Sequence, residues 1–245
     1  MKESVVISFE GLDNCGKGTQ IKFLKEFLTG LGLPFNIDRE PGGTIYGVFE
    51  RMSLQDPEFL RKMFAMYPKA FTSSEKDFDE ALDPVAEMLG YLKSRTQFYS
   101  LKVKPVVDEG GIYVLDRSGD STIAYQGYGL FDSDPTLLRF IELGNKVAMK
   151  GVVIDRTYFL DISVDEMRRR KFGDDYIEVR DNIEQRKNAY FEKVRSGYQK
   201  LNEQDHYLRI DGSLSKEVIA NKIKKDLLQI LEEKGWVNYT QKKLV

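Results

Sequence analysis

Chemistry that depends on cysteine or histidine has little to work with in this chain, whose 245 residues include one Cys and one His. The single cysteine, Cys15, excludes a disulfide within the chain and fits a reducing compartment, so a cytoplasmic location is expected. One Cys and one His supply neither a zinc cluster nor a Ser–His or Cys–His catalytic pair. His206 lies in a polar stretch and is expected at the surface. A charge excess of either sign is also missing. The 37 basic and 39 acidic residues nearly cancel, which leaves no electrostatic footprint for a nucleic acid. No apolar run approaches the length of a membrane span, and no signal peptide is visible before the first strand pattern. Neither a membrane nor a nucleic acid is therefore an expected partner.

What is present is a recurrence of short apolar runs separated by helical stretches. Strands are expected over Ser4–Glu10, Pro34–Arg39, Ile112–Asp116, Thr157–Ser163 and Tyr207–Asp211. Their continuous apolar character fits a parallel sheet with helices on both faces. Helices are expected over Lys17–Leu31, Val85–Val107, Pro135–Met149, Val164–Lys171, Ile183–Asn202 and Leu214–Lys234. Asp134-Pro135 and Ser163 read as helix starts and Gly32 as a stop. The pattern predicts one α/β domain over residues 1–245, a doubly wound parallel sheet of about five strands. Residues 51–84, rich in Met, Phe and Lys, fit it poorly and read as an insertion or a lid.

Residues 10–20 carry the strongest signal. Glu10-Gly11-Leu12-Asp13-Asn14-Cys15-Gly16-Lys17-Gly18-Thr19-Gln20 follows an apolar strand and opens a helix. Backbone N–H groups of such a loop surround a polyphosphate, and the helix N-terminus adds positive potential. Gly11, Asn14, Cys15, Gly16, Lys17, Gly18 and Thr19 are thus the expected ATP-binding residues, with Lys17 the cation for the β- and γ-phosphates. The pattern G-x-x-x-x-G-K-[ST] is broken at Gly18, and the hydroxyl moves on to Thr19. In such sheets ligands bind at the carboxyl ends of the strands. There stand Arg39, whose fork suits a phosphate, and Asp116, placed to position Mg²⁺ through waters. The basic run Arg168-Arg169-Arg170-Lys171, broken by Gly173, reads as a closing lid around 168–182 that brings arginine to a transferring phosphoryl group.

Taken together, these segments resemble the thymidylate kinase family of P-loop kinases. The resemblance runs from about Val5 to Leu201. It rests on F-E-G-x-D-x-x-G-K-x-T-Q (Phe9 to Gln20), R-E-P-G-G-T (Arg39 to Thr44), D-R-x-x-x-S-x-x-A-Y-Q-G (Asp116 to Gly127), D-x-I-E-Q (Asp181 to Gln185) and V-R-x-G-Y (Val194 to Tyr198). The resemblance implies phosphoryl transfer from ATP, with Mg²⁺, to a deoxypyrimidine monophosphate, chiefly dTMP, by a homodimer. Asp13 would contact the sugar 3′-hydroxyl or the metal region, and Arg39 and Arg117 would hold the acceptor phosphate. Tyr91, where the family more often carries Phe, would stack on the base that Arg95 contacts. Thr122 would touch the pyrimidine edge, Gln126 would be among the substrate-binding residues, and Tyr125 would pack under the sugar and disfavour a 2′-hydroxyl. Because Asn14 is not an arginine, the catalytic cation would come from Arg168, Arg169 or Arg170. Asp13, Asp116 and Glu184 are the expected metal-side carboxylates. A kinase for another monophosphate or for a deoxynucleoside, and a non-catalytic nucleotide-binding module, are the alternative readings.

Overall fold

A computed structural model of the chain describes residues 2–67, 82–173 and 182–238, without side chains at 57 and 182–187. Five strands, β1 (Val5–Glu10), β2 (Asn36–Arg39), β3 (Ile112–Asp116), β4 (Arg156–Asp161) and β5 (Tyr207–Asp211), form one parallel sheet in the order β2-β3-β1-β4-β5. All five lie where the apolar runs predict them, although β2 starts two residues late. The sheet is covered on both faces, which explains the unbroken burial of β1. Val5, Ile7 and Phe9 pack in one layer with Leu24 and Leu28 of α1 (Lys17–Gly30), Val194 and Tyr198 of α9 (Asn182–Leu201), and Leu227 of α10 (Lys216–Glu233). Val6, Tyr113 and Leu115 alternate to the other face, against Phe98, Tyr99 and Val103.

Local chemistry sets the helix boundaries. The Asp134 side chain accepts from the N–H groups of Thr136 and Leu137 at the start of α7 (Pro135–Ala148), and Ser163 accepts from Glu166 at the start of α8 (Val164–Phe172). Gly32 ends α1 in the left-handed region, φ 66°. The helix expected over 85–107 is not uniform. It runs as α4 (Pro84–Phe98), a π-turn (Tyr99–Val103) and α5 (Lys104–Asp108). Pro105 is the physical cause: it has no N–H for the carbonyl one turn earlier, and its ring needs the wider turn.

Among the described residues, four helical segments go beyond the expected set. Residues 45–66 form α2 (Ile45–Gln55) and α3 (Pro57–Met66), so the first part of the 51–84 stretch is helical, while 68–81 lie outside the described residues. Thr44 caps α2 by accepting from Gly47 N at 2.9 Å, and Asp56 caps α3. The segment after β3 forms α6 (Gly119–Thr122) and a π-helix (Ile123–Leu130). His206, expected at the surface, is half-buried against Tyr207, and burial lowers its pKa. No helix among the described residues is long and apolar enough to cross a membrane.

Two helical glycines should respond to alanine with opposite sign. A Cβ on Gly47 would stand 2.4 Å from the Gly42 carbonyl oxygen, whereas nothing lies within 4 Å of one on Gly18. Gly47→Ala is expected to cost about 1–3 kcal/mol through overpacking. Gly18→Ala should be neutral or stabilising by up to about 1 kcal/mol. Urea titration of both variants checks this, and equal losses would contradict it.

Candidate active site

Parallel register brings the candidate residues to one rim. Phe9 and Arg39 are both in register with Asp116, so β1, β2 and β3 end side by side. The phosphate loop leaves the end of β1, the middle strand of the five. Gly11 turns it at φ 137°, where a Cβ would meet the Leu160 carbonyl oxygen at 2.5 Å. Asn14 and Gly16 also take positive φ, and Gly16 offers α1 no side-chain cap. The first N–H groups of α1 are thereby left for an anion. Cys15 is buried, whereas Gly18 and Thr19 are exposed in the first turn of α1. Lys17 is buried and folded onto the loop, its Nζ donating to the carbonyls of Leu12 (2.9 Å) and Gly11 (3.2 Å). Burial, and next the charge of Arg117, lower its pKa.

Beside the loop lies a cavity of about 200 Å³. All eight residues expected on the acceptor side line it: Asp13, Arg39, Tyr91, Arg95, Arg117, Thr122, Tyr125 and Gln126. They come from the phosphate loop, the rim, α4 and the 119–130 segment. Arg39 is half-exposed and lies 3.7 Å from Asp116, whose second oxygen, Oδ1, is buried without a hydrogen-bond partner.

Arg117 joins the loop to the cavity. Its backbone takes φ 76°, and its guanidinium donates to Gly11 O, Ser121 Oγ, the Tyr198 hydroxyl, Asp13 Oδ1 (2.6 Å) and the Tyr125 hydroxyl. Burial opposes its charge, but Tyr125, Tyr198, Asp13 and Glu10 more than offset this and hold it protonated. For Asp13 burial alone would raise the pKa, yet Arg117 and Lys17 outweigh it and the carboxyl titrates low. Tyr125 is pushed well up by burial.

Sequence reading passes over the residues beneath. Glu10 is fully buried and accepts from Ser118 N (2.6 Å), Ser121 Oγ (2.7 Å) and the Tyr198 hydroxyl (2.9 Å). Burial, and then repulsion from Asp120, raise its pKa. Glu40 makes a buried pair with Arg95 at 2.7 Å, and burial pushes its pKa up to about 7. Arg95 also donates to Thr122, Asn145 and the Ser118 carbonyl, so it braces the cavity floor more than it projects into the space above. Gln126 donates to Glu87 at 2.8 Å, and Gln55 donates to Tyr91. A glutamate on a helical face, such as Glu87, carries no distinguishing pattern. Only Glu10 and Glu40, at strand ends inside motifs, offer a signal.

The three lid arginines, equivalent in sequence, are distinct in space. Arg168 is buried with Val164 and Met167. Arg169 and Arg170 both bind Glu166 and pull its pKa down to about 2. Arg170 has contacts to the phosphate loop, donating to Cys15 O (3.2 Å) and Asn14 O (3.4 Å), and it reaches Gly212 O at 2.7 Å. The rest of the expected lid, residues 174–181, and the side chain of Glu184 lie outside the described residues.

Residues 67–223 match the family model described as thymidylate kinase. A thymidylate kinase of Trichormus variabilis is 34% identical over 93% of this chain and 97% of its own length. One from Prochlorococcus marinus is 35% identical over 93% and 98%. The chain belongs to the thymidylate kinase family. A crystal structure of thymidylate kinase from Ehrlichia chaffeensis shares the fold, with a TM-score of 0.61 at 24% identity, covering 92% of this chain and 99% of that one.

The buried Glu40 carboxyl makes stability depend on pH in a way this thymidylate kinase family member should display. Its folded pKa, about 7, lies above the ordinary glutamate value of 4.5 because burial penalises the charge. Between those values the folded state holds a proton that the unfolded state has lost, so this contribution falls as pH rises from about 4.5 to 7. Melting temperatures measured across that range should fall less steeply in Glu40→Gln than in the unaltered protein. Parallel slopes would contradict the assignment.

Proposed function

We propose that this chain transfers the γ-phosphoryl group of ATP to dTMP, giving ADP and dTDP. One observation carries the reading: the phosphate loop and the acceptor cavity share Arg117, which touches Gly11 O and lines the cavity. Two anionic substrates must be brought into line, neutralised and shielded from water, and little covalent work falls to the protein. The loop and Lys17 take the donor phosphates. Arg39 and Arg117 take the acceptor phosphate, Asp13 the sugar or metal side, and Tyr91 and Thr122 the base. Tyr125, its hydroxyl tied to Arg117, packs under the sugar. Arg170 is the lid arginine best placed to reach a transferring phosphoryl group, because it already touches the loop.

The base is read through Gln126. Gln126 donates its NH₂ to Glu87, which leaves its carbonyl oxygen for the cavity it lines. A carbonyl suits the N3–H of thymine or uracil and is repelled by the bare N3 of cytosine.

Among the described residues no group of three or more His, Cys, Asp or Glu could hold a metal by itself. The orphaned Asp116 Oδ1 at the rim does fit Mg²⁺ arriving with ATP, an ion that keeps waters and takes one or two carboxylates. Asp116 would hold it through water, with Asp13 beside it, and Gly18 supplies no hydroxyl. When bound, the ion would neutralise charge on the β- and γ-phosphates.

We further read residues 1–245 as one domain with an acceptor-side insertion at 51–84 and a lid around 168–182, in a cytoplasmic homodimer. Support for the dimer comes from adjacent α4 and α7, which expose Val85, Leu89, Phe140, Leu143 and Val147.

The test is ADP release in a coupled assay. Release should depend on added dTMP or dUMP, fall at least tenfold with dCMP, and drop by about 10²–10³ in kcat for Lys17→Ala. Release indifferent to the acceptor, or Lys17→Ala retaining more than a tenth of kcat, would overturn the reading.

A further inference from the structure

Gln55 ends α2 and lines the acceptor cavity, yet it belongs to none of the motifs on which the family resemblance rests. Its Nε2 donates to the Tyr91 hydroxyl at 3.1 Å. Tyr91 stands on α4, where the phenylalanine more usual in the family would offer no oxygen to accept. Two other features hold α2 against α4 at this height. Glu50 is buried and pairs with Lys93 at 2.6 Å. Gly90 has no Cβ, and one there would stand 2.8 Å from Glu50 Oε1 and 3.1 Å from Leu54. The amide therefore reaches the hydroxyl from a helix whose position is fixed independently.

We propose that Gln55 is a positioning residue for the acceptor base: by holding the Tyr91 hydroxyl it sets the plane of the ring that walls the cavity, and so makes α2 part of the acceptor site. The inference rests on the assignment of that cavity to dTMP. A tyrosine ring turns about two torsions, and stacking on a flat base needs one orientation. In the open cavity Gln55 is exposed and its bond competes with water. A base in the cavity expels that water, and the same bond then acts in a lower dielectric. Its effect should accordingly be felt in acceptor binding and not in the stability of the fold. It also gives the helical start of the 51–84 stretch a task, since Gln55 comes from within it.

A double-mutant cycle on the full chain tests this, with Gln55→Leu and Tyr91→Phe measured singly and together. Leucine keeps the volume and removes the amide. dTMP dissociation constants come from calorimetry, alongside KM for ATP and the melting temperature. Each single variant should bind dTMP about three- to tenfold more weakly, and the double variant no more weakly than the singles. KM for ATP and the melting temperature should stay unchanged. Losses that multiply in the double variant, or Gln55→Leu with unaltered dTMP affinity, would overturn the coupling and leave the acceptor assignment standing. A fall in melting temperature that accounts for the loss would make the contact structural and overturn the proposal. An unaltered protein that binds ATP but not dTMP would overturn the acceptor assignment, and the proposal with it.

Discussion

Arg117 leaves β3 in a left-handed backbone conformation and turns its guanidinium back across the end of β1. From there it bonds the phosphate loop through Gly11 and Asp13, the 119–130 segment through Ser121 and Tyr125, and α9 through Tyr198. The phosphate-loop and 119–130 walls of the acceptor cavity are tied to this one group, and the α2–α4 side and the Arg39–Pro41 side are not. The guanidinium suits the task because its donors lie in a rigid plane and it stays charged when buried. The cavity and the phosphate loop consequently cannot drift apart, which is the geometric requirement for bringing two phosphates together.

Such an arrangement concentrates buried charge. Lys17, Arg117, Glu10, Glu40 and Arg95 are each less than one-tenth exposed, within a small volume. Their pKa values record the strain: burial drives Lys17 down and Glu10 and Glu40 up. Buried ion pairs of this kind contribute little net stability, and removing one partner costs about 3–5 kcal/mol. Their value is orientation. Glu10 fixes the Ser118 and Ser121 hydroxyls, the Glu40–Arg95 pair fixes Thr122, and Glu87 fixes the amide of Gln126. Polar groups already pointed before the substrates arrive do not have to reorganise during transfer.

The sheet and phosphate loop were legible because their signals are local. A parallel strand covered on both faces is a continuous apolar run, and Gly11, Gly16 and Lys17 sit directly between strand and helix. The eight acceptor-side residues were legible as a set only through motif resemblance, and the structure brings them to a single cavity. The helical segment at 119–130 was not, because it is built from Ser, Thr, Ile, Tyr and glycines of low helix propensity. Tertiary packing supplies what propensity lacks: Gly129 lets α9 approach so closely that a Cβ would stand 2.5 Å from the Tyr190 ring. The helix at 45–55 was hidden likewise, since Gly47 and its aromatic and β-branched residues obscure the period. Glu10, Glu40, Gln55 and Glu87 act through partners distant in sequence, and no spacing rule reveals such partners. Arg168 and Arg170 differ only by the face of α8 they occupy.

The shape of the Arg117 group, not merely its charge, organises the site. Lysine at position 117 would keep one positive charge and lose the planar fork that reaches five partners. Steady-state kinetics of Arg117→Lys, measured well below its melting temperature, should show kcat/KM for dTMP reduced by about a hundredfold or more, with KM for ATP within a few-fold. A variant that keeps more than a tenth of the unaltered kcat/KM would show that charge alone suffices, and would contradict the claim that this guanidinium organises the site.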